Sequence, residues 1–316
     1  MITMKIKDFT FGSDVNDLVV RLSDVHIRKT TTGADYASML AYDGSDLIEA
    51  KIWAFSDELK NKLISGEVYR VSGKFKDYQG KMQLNISDIE IVSDEEMDKS
   101  IFYERAKLNI EDLKENILSY IEELNNPIIK ELTNTIINRF YTPFFSYPAA
   151  VSMHHNYISG LAYHTYSMLC LARTYVNLYP FLNSDLIYAG IILHDIGKVV
   201  ELSGPKGTEY TFEGRLIGHI SIGSNILYAT ARDLGYEHSE EFTLLNHIIL
   251  SHHGELEYGS PKEPLIPEAL VIHLVDLSDS KLAALDKEFA KIKKGEFSQG
   301  LAQFDRKSFY YPNIDK

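Results

Sequence analysis

The stretch that most constrains this chain is Ile191-Ile192-Leu193-His194-Asp195-Ile196-Gly197-Lys198, an apolar helical run that delivers an adjacent histidine and aspartate and then a glycine and a lysine. A buried imidazole or carboxylate costs several kcal/mol, on the order of 2–7 for a polar group, unless it finds a partner. Imidazole nitrogen and carboxylate oxygen together suit a divalent cation. The rest of the C-terminal two-thirds tightens the constraint. His164, His219, His252, His253 and Asp276 each fall inside apolar helical patterning, so this half of the chain must bring buried polar groups together.

With 316 residues the chain has room for about two domains, each with its own core. Cys170 is the one cysteine, which excludes an internal disulfide and any cysteine-rich zinc site. The sequence spells no basic-then-apolar leader and no apolar run near the roughly 20 residues of a membrane span. The cytoplasm is the expected compartment, without membrane association. The net charge of -13 argues against a protein that coats nucleic acid by charge alone. It is unevenly spread: residues 1 to 92 hold 12 Lys+Arg against 14 Asp+Glu, and the remainder 20 against 31. A near-neutral small domain can still present a basic face.

The first 92 residues read as β structure. Leu18–Ile27, Tyr36–Tyr42 and Leu47–Trp53 are β-branched or aromatic runs, with Asp43-Gly44 as a hairpin signal between the last two. Ser56 to Leu63 reads as a short helix. Val68–Phe75 and Met82–Ile86 follow, turned by Tyr78-Gln79-Gly80 and extended by Asp88–Val92. Three strands, a short helix and two strands are the order of an OB-type barrel. Such barrels hold single strands with exposed aromatic and basic side chains. Tyr36, Trp53, Phe55, Phe75 and Tyr78 are the aromatic candidates, and Lys51, Arg70, Lys74, Lys76 and Lys81 the basic ones. Any one aromatic is more readily a core residue, since aromatics favour strands for packing reasons, and the group is better supported than any member.

An acidic stretch, Ser93 to Asp98, marks the boundary. Residues 93 to 147 read as a helical linker region, with apolar residues at three- and four-residue intervals from Leu108 to Leu124 and a second helix after Pro127. From Pro148 to the end the pattern reads as helical throughout. One helix from Gly160 carries His164, the next ends in His194-Asp195, another runs from Glu213 to His219, Phe242 to Ser251 delivers His252-His253, and Pro267 opens the helix of His273, Asp276 and Asp279. The fold class expected is therefore multidomain α+β, an N-terminal OB-type β-barrel followed by an all-α domain. Tyr310 and Tyr311 stand in a polar tail, where they can dock on the chain itself or on a neighbour.

His164, His194-Asp195, His219, His252-His253 and Asp276, in that order on successive helices, resemble the ligand set of the HD-domain metal-dependent phosphohydrolases. With the barrel in front, and with Pro148-Ala149-Ala150 and Gly160-Leu161-Ala162-Tyr163-His164-Thr165, the whole chain resembles the YhaM family of bacterial 3′-to-5′ exoribonucleases. Ser278 departs from the family, which more often has an apolar residue there. The resemblance implies an HD domain over residues 148 to 316 and removal of nucleotides from the 3′ end of single-stranded RNA, and sometimes single-stranded DNA, with manganese or a similar divalent ion. It also makes a homo-oligomer an expectation.

Phosphodiester hydrolysis needs a nucleophile at neutral pH and neutralisation of transition-state charge, and two cations roughly 3.5–4 Å apart supply both. Carried over from the family, His164, His194 and Asp276 hold one ion with Asp195 as bridge, and His219 with His252 or His253 holds the other. One ion or two stays open at this point, as does the metal: manganese first, with iron, cobalt or zinc as alternatives. Asp195 and Lys198 are the catalytic candidates. Lys198 either reaches a substrate phosphate as a point charge or sits near a helix C-terminus, helped by the dipole. Arg215 is a second phosphate candidate. His154 and His155 are candidates to line the site, and Asp279 to orient it. Two other functions compete with the exonuclease: an HD phosphohydrolase of nucleotides or cyclic dinucleotides, and a non-catalytic single-strand binding protein with a structural metal.

Overall fold

The computed structural model describes residues 5–53, 59, 62–93, 95–97, 99–103, 106–150 and 157–314. The chain divides into two compact units, Met1–Glu104 with Lys206–Thr208, and Arg105–Pro205 with Glu209–Lys316. The first is the expected OB-type barrel. Its strands are β1 (Asp14–Lys29), β2 (Asp35–Tyr42), β3 (Leu47–Ile52), β4 (Val68–Tyr78) and β5 (Lys81–Ile91). They close in the order β1-β2-β3-β5-β4, with β3 and β5 parallel and the other pairs antiparallel.

β1 is longer than the run Leu18–Ile27 suggests, because it pairs with β4 at one end and β2 at the other. The register shifts twice along it, between Val15 and Leu18 and between Ser23 and His26, where Asp17 and Asp24 have positive φ. Such bulges bend a strand and let it serve two neighbours in a closed barrel. Alternate side chains fill the inside, among them Val20, Leu22, Met39, Ile52, Val71, Phe75, Leu84 and Ile86. The helix expected at Ser56 to Leu63 falls largely outside the described residues, as does Phe55.

The second unit is built on helices α1 (Ile110–Glu122), α2 (Pro127–Arg139), α3 (Tyr141–Ser146), α4 (Gly160–Leu178), α5 (Ser184–Leu193), α6 (Lys198–Glu201), α7 (Phe212–Ile217), α8 (His219–Leu234), α9 (Glu240–Ser251) and α10 (Pro267–Phe289). Asn109, Asn126, Asn183, Thr211 and Ser239 cap α1, α2, α5, α7 and α9, their side chains accepting the orphan amide protons of the first turn. Every residue of α5 from Asp185 to Leu193 is buried. A helix apolar all round belongs at the centre of a bundle. At Gly190 a Cβ would stand 2.6 Å from Ile272 Cδ1 of α10 and 3.0 Å from Ile248 Cγ2 of α9. The missing side chain lets both helices approach the one that ends at His194. No helix among the described residues is long and apolar enough to cross a membrane.

Two expectations fail. His219 does not end the helix of residues 213 to 219 but begins the next, because Gly218 at φ 77° breaks the run. The last segment is not helical. It folds back as a short antiparallel ladder, Phe297 opposite Tyr310 and Leu301 opposite Lys307. Tyr311 stacks on Phe289 of α10 with centroids 4.5 Å apart, so it docks on its own chain.

The β2–β3 turn of the barrel depends on Asp43, which is fully buried. Its carboxylate accepts the amide protons of Ile6 (2.5 Å), Ser45 (2.8 Å) and Asp46 (2.9 Å) and the Ser45 hydroxyl proton (2.8 Å). Burial pushes the carboxyl pKa up, but these bonds outweigh it and hold the value below that of an ordinary aspartate. A depressed folded-state pKa contributes stability above the unfolded value, and the contribution disappears as pH falls through the folded one. Asp43→Asn should therefore destabilise the barrel by about 1–3 kcal/mol at pH 7, with the gap to wild type narrowing below pH 4. Urea unfolding followed by the fluorescence of Trp53, the chain's one tryptophan, reads this directly. An equal gap at both pH values would rule the account out.

Candidate metal centre and nucleic-acid face

Five helices meet at Asp195, α4 and α10 through residues within them and α5, α8 and α9 through their ends. The carboxylate follows the C-cap of α5, is 3% exposed, and has its two oxygens turned to different neighbours. Oδ2 lies 3.2 Å from His194 Nε2 and 3.9 Å from Nε2 of His164 on α4. Oδ1 lies 3.4 Å from Nε2 of His219, the first residue of α8, and 3.8 Å from Nε2 of His252, the C-cap of α9. Asp276 of α10 joins the first side, with Oδ1 3.3 Å from His164 Nε2. Two sets of potential ligand atoms result, His164, His194 and Asp276 in one and His219, His252 and His253 in the other, each lying within 4.8 Å. Gly197 permits the convergence, since a Cβ there would sit 1.9 Å from the His219 carbonyl oxygen.

The histidines are all held the same way. Each Nδ1 donates to a fixed acceptor: His164 to Asp279 Oδ2 (2.6 Å), His194 to the Ile191 carbonyl (2.7 Å), His219 to Glu201 Oε1 (3.2 Å), His252 to the Ile249 carbonyl (2.8 Å) and His253 to the Tyr258 carbonyl (2.9 Å). Protonation at Nδ1 leaves the Nε2 lone pair as the free donor, the tautomer a metal ligand needs. Among the described residues, His194 Nε2, His219 Nε2, His252 Nε2 and Asp195 Oδ1 are buried with no hydrogen-bond partner. Four orphaned polar atoms in one buried centre are expensive unless cations complete them. The donor set, imidazole with carboxylate, fits a divalent metal.

The electrostatics agree. Burial alone would raise the Asp195 pKa, but the Lys198 ammonium 2.7 Å from Oδ2 and the His194 ring hold it well below the usual range. Lys198 is correspondingly raised against its own burial, so both groups stay charged. Burial and then the neighbouring rings push His252 and His253 down, which keeps them neutral and ready to coordinate. His164 differs. Burial would lower its pKa, yet its bonds to Asp276 and Asp279 lift it to about 10, so its Nε2 holds a proton against Asp276 that a ligated cation would have to replace.

The sequence reading overlooked Glu201, which lies at the end of α6 and is 7% exposed. One oxygen, Oε1, accepts both the His219 backbone amide proton (3.0 Å) and its ring proton. The available signal was a carboxylate set in Val199-Val200-Glu201-Leu202, as anomalous in an apolar run as the histidines are. Asp279 holds His164 and accepts from Ser167 Oγ as well. His273 sits behind the centre, donating to the His252 carbonyl at 3.3 Å. Arg215 is exposed on α7 and makes no ion pair among the described residues. His154 and His155 lie outside the described residues.

On the barrel, the predicted polar and aromatic groups come from β2 (Tyr36), β3 and the residue after it (Lys51, Trp53), β4 (Lys74, Lys76, Tyr78) and the start of β5 (Lys81). Tyr36 stacks on Trp53 with centroids 5.0 Å apart, and Trp53 Nε1 donates to Asn85 Oδ1 at 3.1 Å. The Lys51 ammonium lies 5.2 Å from the Trp53 ring centroid and 4.7 Å from that of Tyr78. Lys74 and Lys76 are exposed, Lys74 with Asp14 at 3.4 Å. Phe75 is a correction. It has no exposed surface and packs on Phe9 inside the barrel, because β4 alternates and the residues on either side of Phe75 face out.

Residues 161–280 match the model of the HD domain. An HD domain indicates a metal-dependent phosphohydrolase. Residues 20–92 match that of an OB-fold nucleic acid binding domain of the tRNA anticodon type. Among solved structures, a domain of replication protein A from Methanococcus maripaludis is similar at 18% identity, with 28% of this chain and 93% of that one covered and a TM-score of 0.25. The protein PriB from Ralstonia solanacearum is similar at 18% identity, with 24% and 97% covered and a TM-score of 0.21.

Glu201→Ala should weaken divalent-metal binding about 10–100-fold while leaving the fold intact, and Glu201→Gln, which keeps an acceptor oxygen, should lose less. Calorimetric titration of the metal-free protein with manganese tests this. Undiminished affinity in Glu201→Ala would show that His219 needs no orienting partner.

Proposed function

We propose that the chain is a 3′-to-5′ exoribonuclease that hydrolyses single-stranded RNA, and single-stranded DNA as a secondary substrate, releasing nucleoside monophosphates. The observation that carries the hydrolytic half is the Asp195 carboxylate, whose two oxygens face two separate histidine sets. That is the arrangement by which one carboxylate serves two cations. When bound, divalent ions, with manganese as the first candidate, supply an activated water at neutral pH and neutralise the charge that develops on the phosphoryl oxygens.

This chain's residues do the rest. His164, His194 and Asp276 would hold one ion, and His219, His252 and His253 the other. Asp195 would serve both, and it stays ionised because Lys198 and the rings hold its pKa down. Lys198 keeps its proton, so its ammonium offers a point charge to a non-bridging phosphate oxygen of the substrate. The nucleic-acid half is supported by Tyr36, Trp53, Lys51 and Tyr78, contiguous on one face of the barrel, a grouping suited to stacking bases and contacting phosphates.

With 5′-labelled single-stranded RNA and manganese, the wild type should give a ladder shortening from the 3′ end, absent in Asp195→Ala. Binding without cleavage in both proteins would favour a binding protein with a structural metal. A second assay separates strand degradation from small-molecule hydrolysis. Trp53→Ala with Tyr78→Ala should slow degradation of long strands about tenfold or more, since each stacked base contributes roughly 1–3 kcal/mol. Hydrolysis of bis(p-nitrophenyl) phosphate should stay unchanged. Equal effects on both substrates would point to the nucleotide phosphohydrolase instead.

A further inference from the structure

The segment after α10 belongs to neither the metal centre nor the barrel face, and its chemistry is unlike the rest of the chain. From Lys287 in the last turn of α10 to Tyr311, the chain holds six Lys+Arg and three Asp+Glu in a protein whose net charge is -13. Four of those cations, Lys293, Lys294, Arg306 and Lys307, are exposed and make no ion pair among the described residues. Of the acids, Glu288 pairs with Lys291 at 2.9 Å, and Glu296 accepts the Lys293 amide proton at 2.9 Å.

The segment is built rather than loose. Gly295 and Ser298 donate to the Tyr311 and Phe309 carbonyls at 2.7 and 2.9 Å, and Tyr311 donates back to the Glu296 carbonyl at 2.8 Å. The stack of Tyr311 on Phe289 and the contact of Phe304 with Phe309 at 4.6 Å pin it. On that fixed frame, Phe297 and Tyr310 form a cross-strand pair 5.1 Å apart that remains 67% and 47% exposed. An ordered hairpin that leaves an aromatic pair in solvent beside unpaired cations has the two features of a single-strand contact, π-faces for bases and charges for phosphates.

We propose that this C-terminal hairpin is a second binding surface for single-stranded nucleic acid, with Phe297 and Tyr310 as the stacking platform and Lys293, Lys294, Arg306 and Lys307 as the phosphate contacts. It rests on the reading that the chain acts on such strands. The test uses the full chain in EDTA, so that no strand is cut, and a fluorescein-labelled oligouridylate titrated by anisotropy across a range of salt. Replacing the four cations with alanine should weaken binding about tenfold or more and flatten the log–log salt slope by about 3, from roughly 0.7 per phosphate. Phe297→Leu with Tyr310→Leu keeps the apolar cross-strand contact and removes the π-faces. That pair should weaken binding roughly tenfold with the slope unchanged. Lys291→Ala, already paired with Glu288, is the control and should behave as wild type.

Binding indifferent to both multiple variants overturns this inference alone. A loss confined to the cation variant reduces the hairpin to polyanion attraction and overturns the platform. No binding by the unaltered chain overturns the nucleic-acid reading and this inference with it.

Discussion

The helical unit depends on one costly placement, an ionised carboxylate held almost fully out of water at Asp195. A lone buried carboxylate would take up a proton. Here it stays charged because Lys198 stands 2.7 Å away and the histidine rings crowd both oxygens. The surrounding architecture follows from that requirement. α5 must be apolar on every side to carry the aspartate to the centre, Gly190 must lack a side chain for α9 and α10 to close in, and Gly197 must lack one for the start of α8 to do so.

Helix ends explain how five rings come to point the same way. The last carbonyls of a helix have no partner of their own. His194 and His252 occupy the C-caps of α5 and α9, and each ring donates from Nδ1 to the carbonyl three residues back, so one bond satisfies an orphan and aims the ring. Elsewhere that device is unavailable. His164 lies within α4, where the carbonyls are already taken, and His219 opens α8, where the orphans are amide protons. These two rings are the ones held by carboxylates, Asp279 and Glu201, and Glu201 satisfies the His219 amide with the same oxygen. The choice of orienting group is thus set by position in the helix.

That logic marks what was legible in the sequence. Histidines in apolar runs stand out because burial makes them anomalous, and the structure brings together all seven positions singled out. Glu201 obeys the same rule but has no neighbouring ring in the sequence to draw attention to it. Phe75 was misread because composition finds an aromatic strand while only its pairing fixes which parity faces inward. The true length of β1 depends on two bulges at Asp17 and Asp24, positions whose residue type tolerates positive φ without announcing it. The folded-back tail escaped because its ladder consists of two bridges, too short to carry an alternating pattern.

Charge poses the remaining question, since a chain of net charge -13 is an odd partner for a polyanion. At physiological ionic strength the Debye length is about 8 Å, so the total matters less than the charges within a few ångströms of a phosphate. On the barrel, Lys51 lies against both Trp53 and Tyr78, which places its charge beside the rings that would stack bases. At the centre, Asp195 and Asp276 stay ionised, and bound cations would offset their charge and invert the local sign. Under the proposed reading, a net negative charge would repel strands that make no specific contact. It therefore costs little affinity where contact is made and sharpens the difference between a seated strand and a passing one.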